Sequence, residues 1–239
     1  MLKIQKIEHD IRQFLRGNAD EANVKKYSRY FKEGYDPYGV AWEKLSPKVD
    51  QWFDTCKKEL SSKEFLTLCD HLMSTGKYEE ASIAITFMVK LRGQYNKRLF
   101  NTVGKWFEKY VTNWAHSDIA SHSVLYFFLS DKVVEFNDLF SWTDSPHRWK
   151  RRAVAVTLVK DFAKRGSVPQ ALQVARKLIL DQEKVVQQGI GWLLREAWKK
   201  SPQKVEDFLL KWKDQAPRLI VQYATEKIDK EKRKIFRRG

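Results

Sequence analysis

Only two cysteines, Cys56 and Cys69, occur in the 239 residues. They have neither metal-ligand spacing nor a second pair with which to build a disulfide framework, so buried free thiols in a reducing compartment are expected. No apolar run approaches the roughly 20 residues that cross a bilayer. The opening Met1-Leu2-Lys3-Ile4-Gln5-Lys6-Ile7-Glu8 is amphipathic rather than signal-like. These absences set aside a membrane protein and a secreted scaffold, and cytoplasmic location is expected. Alternation of apolar and polar residues between hairpin turns is missing too, which argues against β-sheet. His116 and His122 lack metal-ligand company, and Ser117 and Ser121 lack a triad partner that spacing identifies. Neither a metal site, a cofactor nor a serine hydrolase is therefore expected.

Acid is the scarce charge. Lys and Arg number 45 against 30 Asp and Glu, a formal net charge of +15. Its distribution says more than its size. Between His147 and Lys177 nine basic residues face one acid, Asp161; between Lys199 and Gly239 thirteen face six; between Met1 and Leu60 twelve face ten. A basic second half suits a surface that follows phosphates. The basic residues are spread over several helices rather than one strongly apolar-faced segment, which disfavours a membrane surface as the partner.

A hydrophobic content of 43% excludes wholesale disorder. A chain of this length can bury roughly 70% of its unfolded surface as a single domain, and residues 1–239 are read as one, with a basic tail from about 230 that either frays or adds a contact. Helical periodicity recurs throughout. Ile4, Ile7, Ile11, Phe14 and Leu15 form one stripe of a helix from about Leu2, ended by Gly17. Lys32 to Gly39 reads as an aromatic-rich loop. Ser46-Pro47 reads as a cap and first helical position, and Ser61-Ser62-Lys63-Glu64 as a capping box. Pro217 to Phe236 reads as one last helix. A 36-residue step aligns the small residues Ala81, Ser117, Ala153 and Gly189, followed two positions on by Ile83, Ile119, Ala155 and Gly191. Small residues at one site of successive units suit close helix stacking. The expected fold is thus all-α, a helical-repeat solenoid (an α-α superhelix) with a concave basic face, well shaped for duplex DNA.

The stretch Asn113-Trp114-Ala115-His116-Ser117-Asp118 sets an indole and a carboxylate four residues apart. On a helix they share a face, and together they suit a ligand that is or becomes cationic. A plainer reading stands beside it: Asp118 caps a helix that begins at the apolar run Val124 to Leu129, and Trp114 is core beneath a loop.

Three segments together resemble the bacterial DNA alkylation repair family, the AlkD-like glycosylases built of HEAT-like repeats. Gln188-Gly189-Ile190-Gly191-Trp192-Leu193-Leu194-Arg195-Glu196 resembles that family's GWxLRE-type segment. Trp149-Lys150-Arg151-Arg152-Ala153 is similar to its tryptophan-then-arginine segment, and Trp114 to Asp118 fits its tryptophan, three residues, aspartate pattern. They occur in the family's order, and the likeness runs from about Tyr78 to Phe208, with thinner support around Tyr38-Gly39-Val40. The resemblance implies a monomeric, monofunctional glycosylase that removes N3- or N7-alkylated purines from duplex DNA in base excision repair. It implies Asp118 as the catalytic carboxylate, Trp114 and Trp192 as the tryptophans packed against the lesion's deoxyribose, and Arg152 as an arginine on the DNA backbone. Arg148, Trp149, Lys150 and Arg151 are candidates for further phosphate contact. Ala115-His116-Ser117 departs from the family, which more often has an aspartate and a valine there, and this bears on substrate range. Two rivals stay open: a DNA-binding repeat protein that excises nothing, and a protein-binding HEAT-type scaffold.

Overall fold

A computed structural model describes residues 2–32, 34–162, 164 and 166–236. The described residues form helices and turns, with no strand among them. In chain order the helices are α1 (Leu2–Gly17), α2 (Glu21–Ser28), α3 (Trp42–Glu59), α4 (Ser62–Ser74), α5 (Tyr78–Lys90), α6 (Lys97–Lys109), α7 (Trp114–Ala120), α8 (Tyr126–Ser130), α9 (Phe136–Phe140), α10 (Arg148–Phe162), α11 (Val168–Leu178), α12 (Lys184–Lys200), α13 (Pro202–Trp212) and α14 (Arg218–Ala224). One π-helical turn, Ser121–Leu125, joins α7 to α8. No helix among the described residues is long and apolar enough to cross a membrane. The all-α helical-repeat expectation is met.

Most helix limits follow from local chemistry. Asp20 caps α2 by accepting from the Ala22 and Asn23 N–H groups, and the Ser61/Glu64 capping box opens α4 as the sequence indicates. Two limits differ. α3 starts at Trp42 rather than at Pro47, because the Ala41 carbonyl already accepts from the Lys44 and Leu45 N–H groups and Leu45 is driven into the core. Pro47 then sits inside the helix and forfeits only the bond its missing N–H would have made one turn back. The last helix does not run from Pro217 to Phe236. It stops at Ala224, and Asp229 accepts from the Glu231 and Lys232 N–H groups, turning the chain into a 3-10 segment, Lys232–Phe236. Phe236 is buried and Lys232 reaches Glu206 at 2.7 Å, so the tail is docked up to that point. Arg237, Arg238 and Gly239 of the basic tail lie outside the described residues.

The chain groups into two compact units, Met1–Tyr95 with Asn101–His116, and Asn96–Phe100 with Ser117–Gly239. In the first, α1 lies on α3 and α4, and both of those flank or adjoin α5. Its core is Ile11, Leu15, Leu45, Leu68, Leu72, Ile83 and Phe87, with Cys56 and Cys69 buried as free thiols, as expected. Each such apolar side chain contributes roughly 1.5–3 kcal/mol on leaving water. In the second unit α12 is central and packs against α10, α11, α13 and α14. α10 is enclosed on nearly every side, from Ala153 through Val159.

Gly191 of α12 sets how closely α14 approaches. A Cβ at Gly191 would lie 2.4 Å from the Tyr223 Cβ and 2.9 Å from the Ile220 carbonyl oxygen on α14. At Gly189 it would meet the Arg152 Cγ at 3.4 Å and the Ala155 Cβ at 3.6 Å, ordinary contacts. Ser117, Ala153 and Ala155 are likewise fully buried, whereas Ile119 of the same alignment is exposed and makes no such stack. Gly191→Ala should cost about 1–3 kcal/mol by overpacking. Gly189→Ala should be neutral or stabilising by up to about 1 kcal/mol, because alanine favours the helix. Thermal unfolding of the two variants reads the difference in sign; equal losses would contradict the packing described.

Candidate functional site

Arg152 is an arginine on a buried helix, only 6% exposed. A guanidinium there must be paired, because an uncompensated charge in the interior is far too costly to keep. Its Nε donates to Asp118 Oδ1 at 2.8 Å, its Nη2 to Oδ2 at 2.7 Å and its Nη1 to the Val185 carbonyl at 2.7 Å. The fork is bidentate, the geometry that fixes a carboxylate in both position and plane. The Asp118 side chain keeps 14% of its exposure. Asp118 therefore caps nothing. It is the fifth residue of α7, whose cap is Asn113: the Asn113 Oδ1 accepts from the His116 N–H at 2.9 Å.

One turn beyond Asp118 stands His122, within the π-helical turn. A π turn re-aims the side chains it carries, and such turns recur at functional sites. The His122 ring meets Trp192 edge to face, with centroids 5.5 Å apart. Burial lowers the imidazole's pKa, with Asp118 opposing that shift and Lys160 and Arg152 reinforcing it. Its Nε2 is buried without a hydrogen-bond partner. Trp192 is half-buried on α12. In this unit the structure thus brings together Asp118, Arg152, His122 and Trp192. His122 was not foreseen as a site member, although the four-residue spacing of Trp114, Asp118 and His122 was there to be seen.

Trp114 is held within the first unit. It is 39% exposed, its Nε1 donates to the Tyr30 carbonyl at 2.9 Å, and its indole stacks on Phe31 with centroids 5.6 Å apart. Phe31 in turn stacks on Tyr35 at 4.2 Å with the rings nearly parallel. The loop carrying these rings is tied down by Glu79, whose Oε1 accepts from the Gly39 and Val40 N–H groups and whose Oε2 accepts from the Tyr38 N–H. Gly39 has φ +83°, and a Cβ there would lie 2.2 Å from the Asp20 carbonyl oxygen, so no other residue fits the loop. His116 supports the same place from beneath: its Nδ1 accepts from the Asn113 amide at 3.0 Å, its Nε2–H donates to the Tyr78 carbonyl at 3.0 Å, and its ring stacks on Tyr78. The partners assign a neutral imidazole protonated at Nε2.

The basic segment of α10 is largely committed within its own unit. Arg151 forks onto Asp181 at 2.6 and 3.2 Å and also reaches the Ser145 and Pro146 carbonyls. Trp149 is core. Arg148 lies over the Trp149 ring and 3.5 Å from Glu183, and Lys150 lies over Trp142. Arg148, Lys150 and Arg151 are all of intermediate exposure, and of the three Arg151 has its fork committed to Asp181.

A family model described as "DNA alkylation repair enzyme" matches residues 11–228. Among solved structures, a predicted DNA alkylation repair enzyme from Enterococcus faecalis superimposes with a TM-score of 0.76, covering 89% of this chain and 98% of that one at 14% identity. That likeness establishes a shared fold. No curated protein matches the chain.

Two outcomes test the geometry. Removing one member of the Asp118–Arg152 pair strands a buried charge, so Asp118→Leu and Arg152→Met should each cost about 3–5 kcal/mol, while the double replacement recovers most of that; urea unfolding measures all three, and additive losses would contradict a coupled pair. Burial pushes the His116 imidazole down to about 4, partly offset by its bond to the Tyr78 carbonyl. An unfolded histidine protonates near 6.5. As pH falls through that window protons bind the unfolded chain first, so the contribution of neutral His116 is complete above about 6.5 and declines toward about 4. His116→Gln should therefore flatten the acid loss of stability by about 1.4 kcal/mol per pH unit in that window. An unchanged slope would contradict the assignment.

Proposed function

Starting from the fact that the chain belongs to the DNA alkylation repair enzyme family, we propose that it is a monofunctional DNA glycosylase releasing cationic N3- and N7-alkylated purines from duplex DNA. The observation that carries this reading is the Asp118 carboxylate, gripped on one side by the Arg152 fork and still partly open. A carboxylate offers about four lone-pair sites; Arg152 occupies two, which leaves the rest for a sugar or a water.

The chemistry follows from the charge of the substrate. An alkylated purine carries its positive charge before the reaction, so it needs no general acid to leave. The C1′–N bond breaks with its electron pair passing to the purine, which becomes neutral, while positive charge develops on the deoxyribose. Asp118, already ionised and already oriented, stabilises that charge without reorganising; removing such a group commonly costs about 3 kcal/mol of barrier. Water then adds to C1′ and its proton passes to Asp118 or to solvent. Trp114 and Trp192 pack their faces on the sugar, where attraction grows as the sugar becomes cationic. Arg152 acts through Asp118 in this reading, as a positioning residue. Arg148 and Lys150 supply phosphate contact, with Trp149 and Arg151 holding their helix in place. Residues 1–239 act as a single functional domain, as a monomer and without a cofactor.

A second reading, DNA binding without excision, draws on the same pair, since a carboxylate fully satisfied by Arg152 would be scaffold. Release of 7-methylguanine and 3-methyladenine from methylated duplex separates the two. Wild type should release both bases, and Asp118→Asn should be slower by tenfold or more while remaining folded and binding duplex with a similar, steeply salt-dependent affinity. Duplex binding by wild type with no release of either base would favour the second reading.

A further inference from the structure

His122 has no part in the reaction described above, although it stands within the second unit's site. Four residues after Asp118 it shares that residue's face, and the π-helical turn Ser121–Leu125 carries its ring onto α12, where it meets the Trp192 indole edge to face. The charged groups acting on the ring are Asp118 on α7 and Arg152 and Lys160 on α10, while α12 faces it with the indole. Its Nε2 is buried without a hydrogen-bond partner, and the Val156 carbonyl accepts from the ring. A neutral imidazole tolerates this arrangement, because one nitrogen is a donor and the other a bare acceptor. An imidazolium does not. Both nitrogens then carry N–H, and a charged donor is left buried with nothing to receive it. The charge of the site points the same way. Arg152 already balances Asp118 and Lys160 adds a positive field, so a further cation on His122 would oppose a cationic substrate and a sugar that becomes cationic.

We propose that His122 is a positioning residue for excision: as a neutral ring it braces the Trp192 indole beside the turn that carries Asp118, and as a cation it switches excision off. This role rests on the glycosylase reading above. Burial lowers the imidazole's pKa, which keeps the working, neutral form in place at neutral pH. Phenylalanine keeps a ring that cannot charge, whereas alanine removes the ring, so the two variants separate bracing from charge.

The test follows single-turnover release of 3-methyladenine from methylated duplex by the full chain, with thermal midpoints checking the fold of each variant. At about pH 8, where His122 is neutral, His122→Ala should be about three- to tenfold slower than wild type, the scale of an aromatic edge-to-face pair, and His122→Phe should recover most of that loss. Toward about pH 5 the ratio of the His122→Phe rate to the wild-type rate should climb about threefold or more, because only wild type acquires the charge. Taking the ratio cancels titration of the substrate and of Asp118. Without DNA, the His122 C2–H resonance, assigned by its loss from His122→Phe, should titrate below about 6.5, and lower still in Asp118→Asn, which removes the charge opposing that shift. A ratio flat with pH, or equal rates for His122→Ala and His122→Phe, would overturn the role. So would an ordinary titration unmoved by Asp118→Asn. Base release by wild type alongside any of those results leaves the glycosylase reading standing; no release by wild type at any pH defeats that reading and the role of His122 with it.

Discussion

The charge of Arg152 governs what the second unit can be. An arginine placed in the middle of a helix enclosed on nearly every side has to find a carboxylate, and the only arrangement that satisfies its flat fork is a carboxylate in the same plane at hydrogen-bond distance. Asp118 meets that demand and is thereby fixed to within the tolerance of two short bonds, while the third nitrogen anchors the pair to α12 through the Val185 carbonyl. A side chain that must not move during a reaction is best held in this way, because its orientation is settled before any ligand arrives. The same α12 carries Trp192.

The first unit uses the same device for a different purpose. Glu79 is buried because three backbone N–H groups of the loop at Tyr38, Gly39 and Val40 have no other acceptor. Their demand pins the loop, and the pinned loop keeps Phe31 and Tyr35 stacked beside Trp114. In both units a carboxylate gripped by several hydrogen-bond donors converts a local electrostatic requirement into the placement of an aromatic ring or an acid.

Much of this was legible in the sequence, for identifiable reasons. Helices announce themselves through 3.6-residue periodicity and capping residues, so α1 and α4 were readable almost to the residue. Family membership followed from three short segments around Trp114, Arg152 and Trp192. What was not legible depends on neighbours distant in the chain. The resemblance implied Arg152 as an arginine on the DNA backbone, and nothing in Trp149-Lys150-Arg151-Arg152 reveals that α10 is enclosed or that Asp118, 34 positions earlier, meets the guanidinium. The burial of Trp149 and the fork of Arg151 onto Asp181 were invisible in the sequence for the same reason. Pro47 looked like a helix start because proline favours that place, but the pull of Leu45 into the core began the helix a turn earlier. His122 was read only as a histidine without metal-ligand company, because its contact with Trp192 joins positions far apart in the chain.

The account rests on Asp118 and Arg152 working as one unit, and a double-mutant cycle on base release measures that directly. Single-turnover rates on methylated duplex would be compared for wild type, Asp118→Asn, Arg152→Gln and the double variant, each verified as folded. If Arg152 acts by holding Asp118, the double variant should be no slower than the slower single variant, within about twofold. If the two losses multiply instead, Arg152 contributes independently of Asp118, through the DNA backbone, and the claim that the pair acts as one is contradicted.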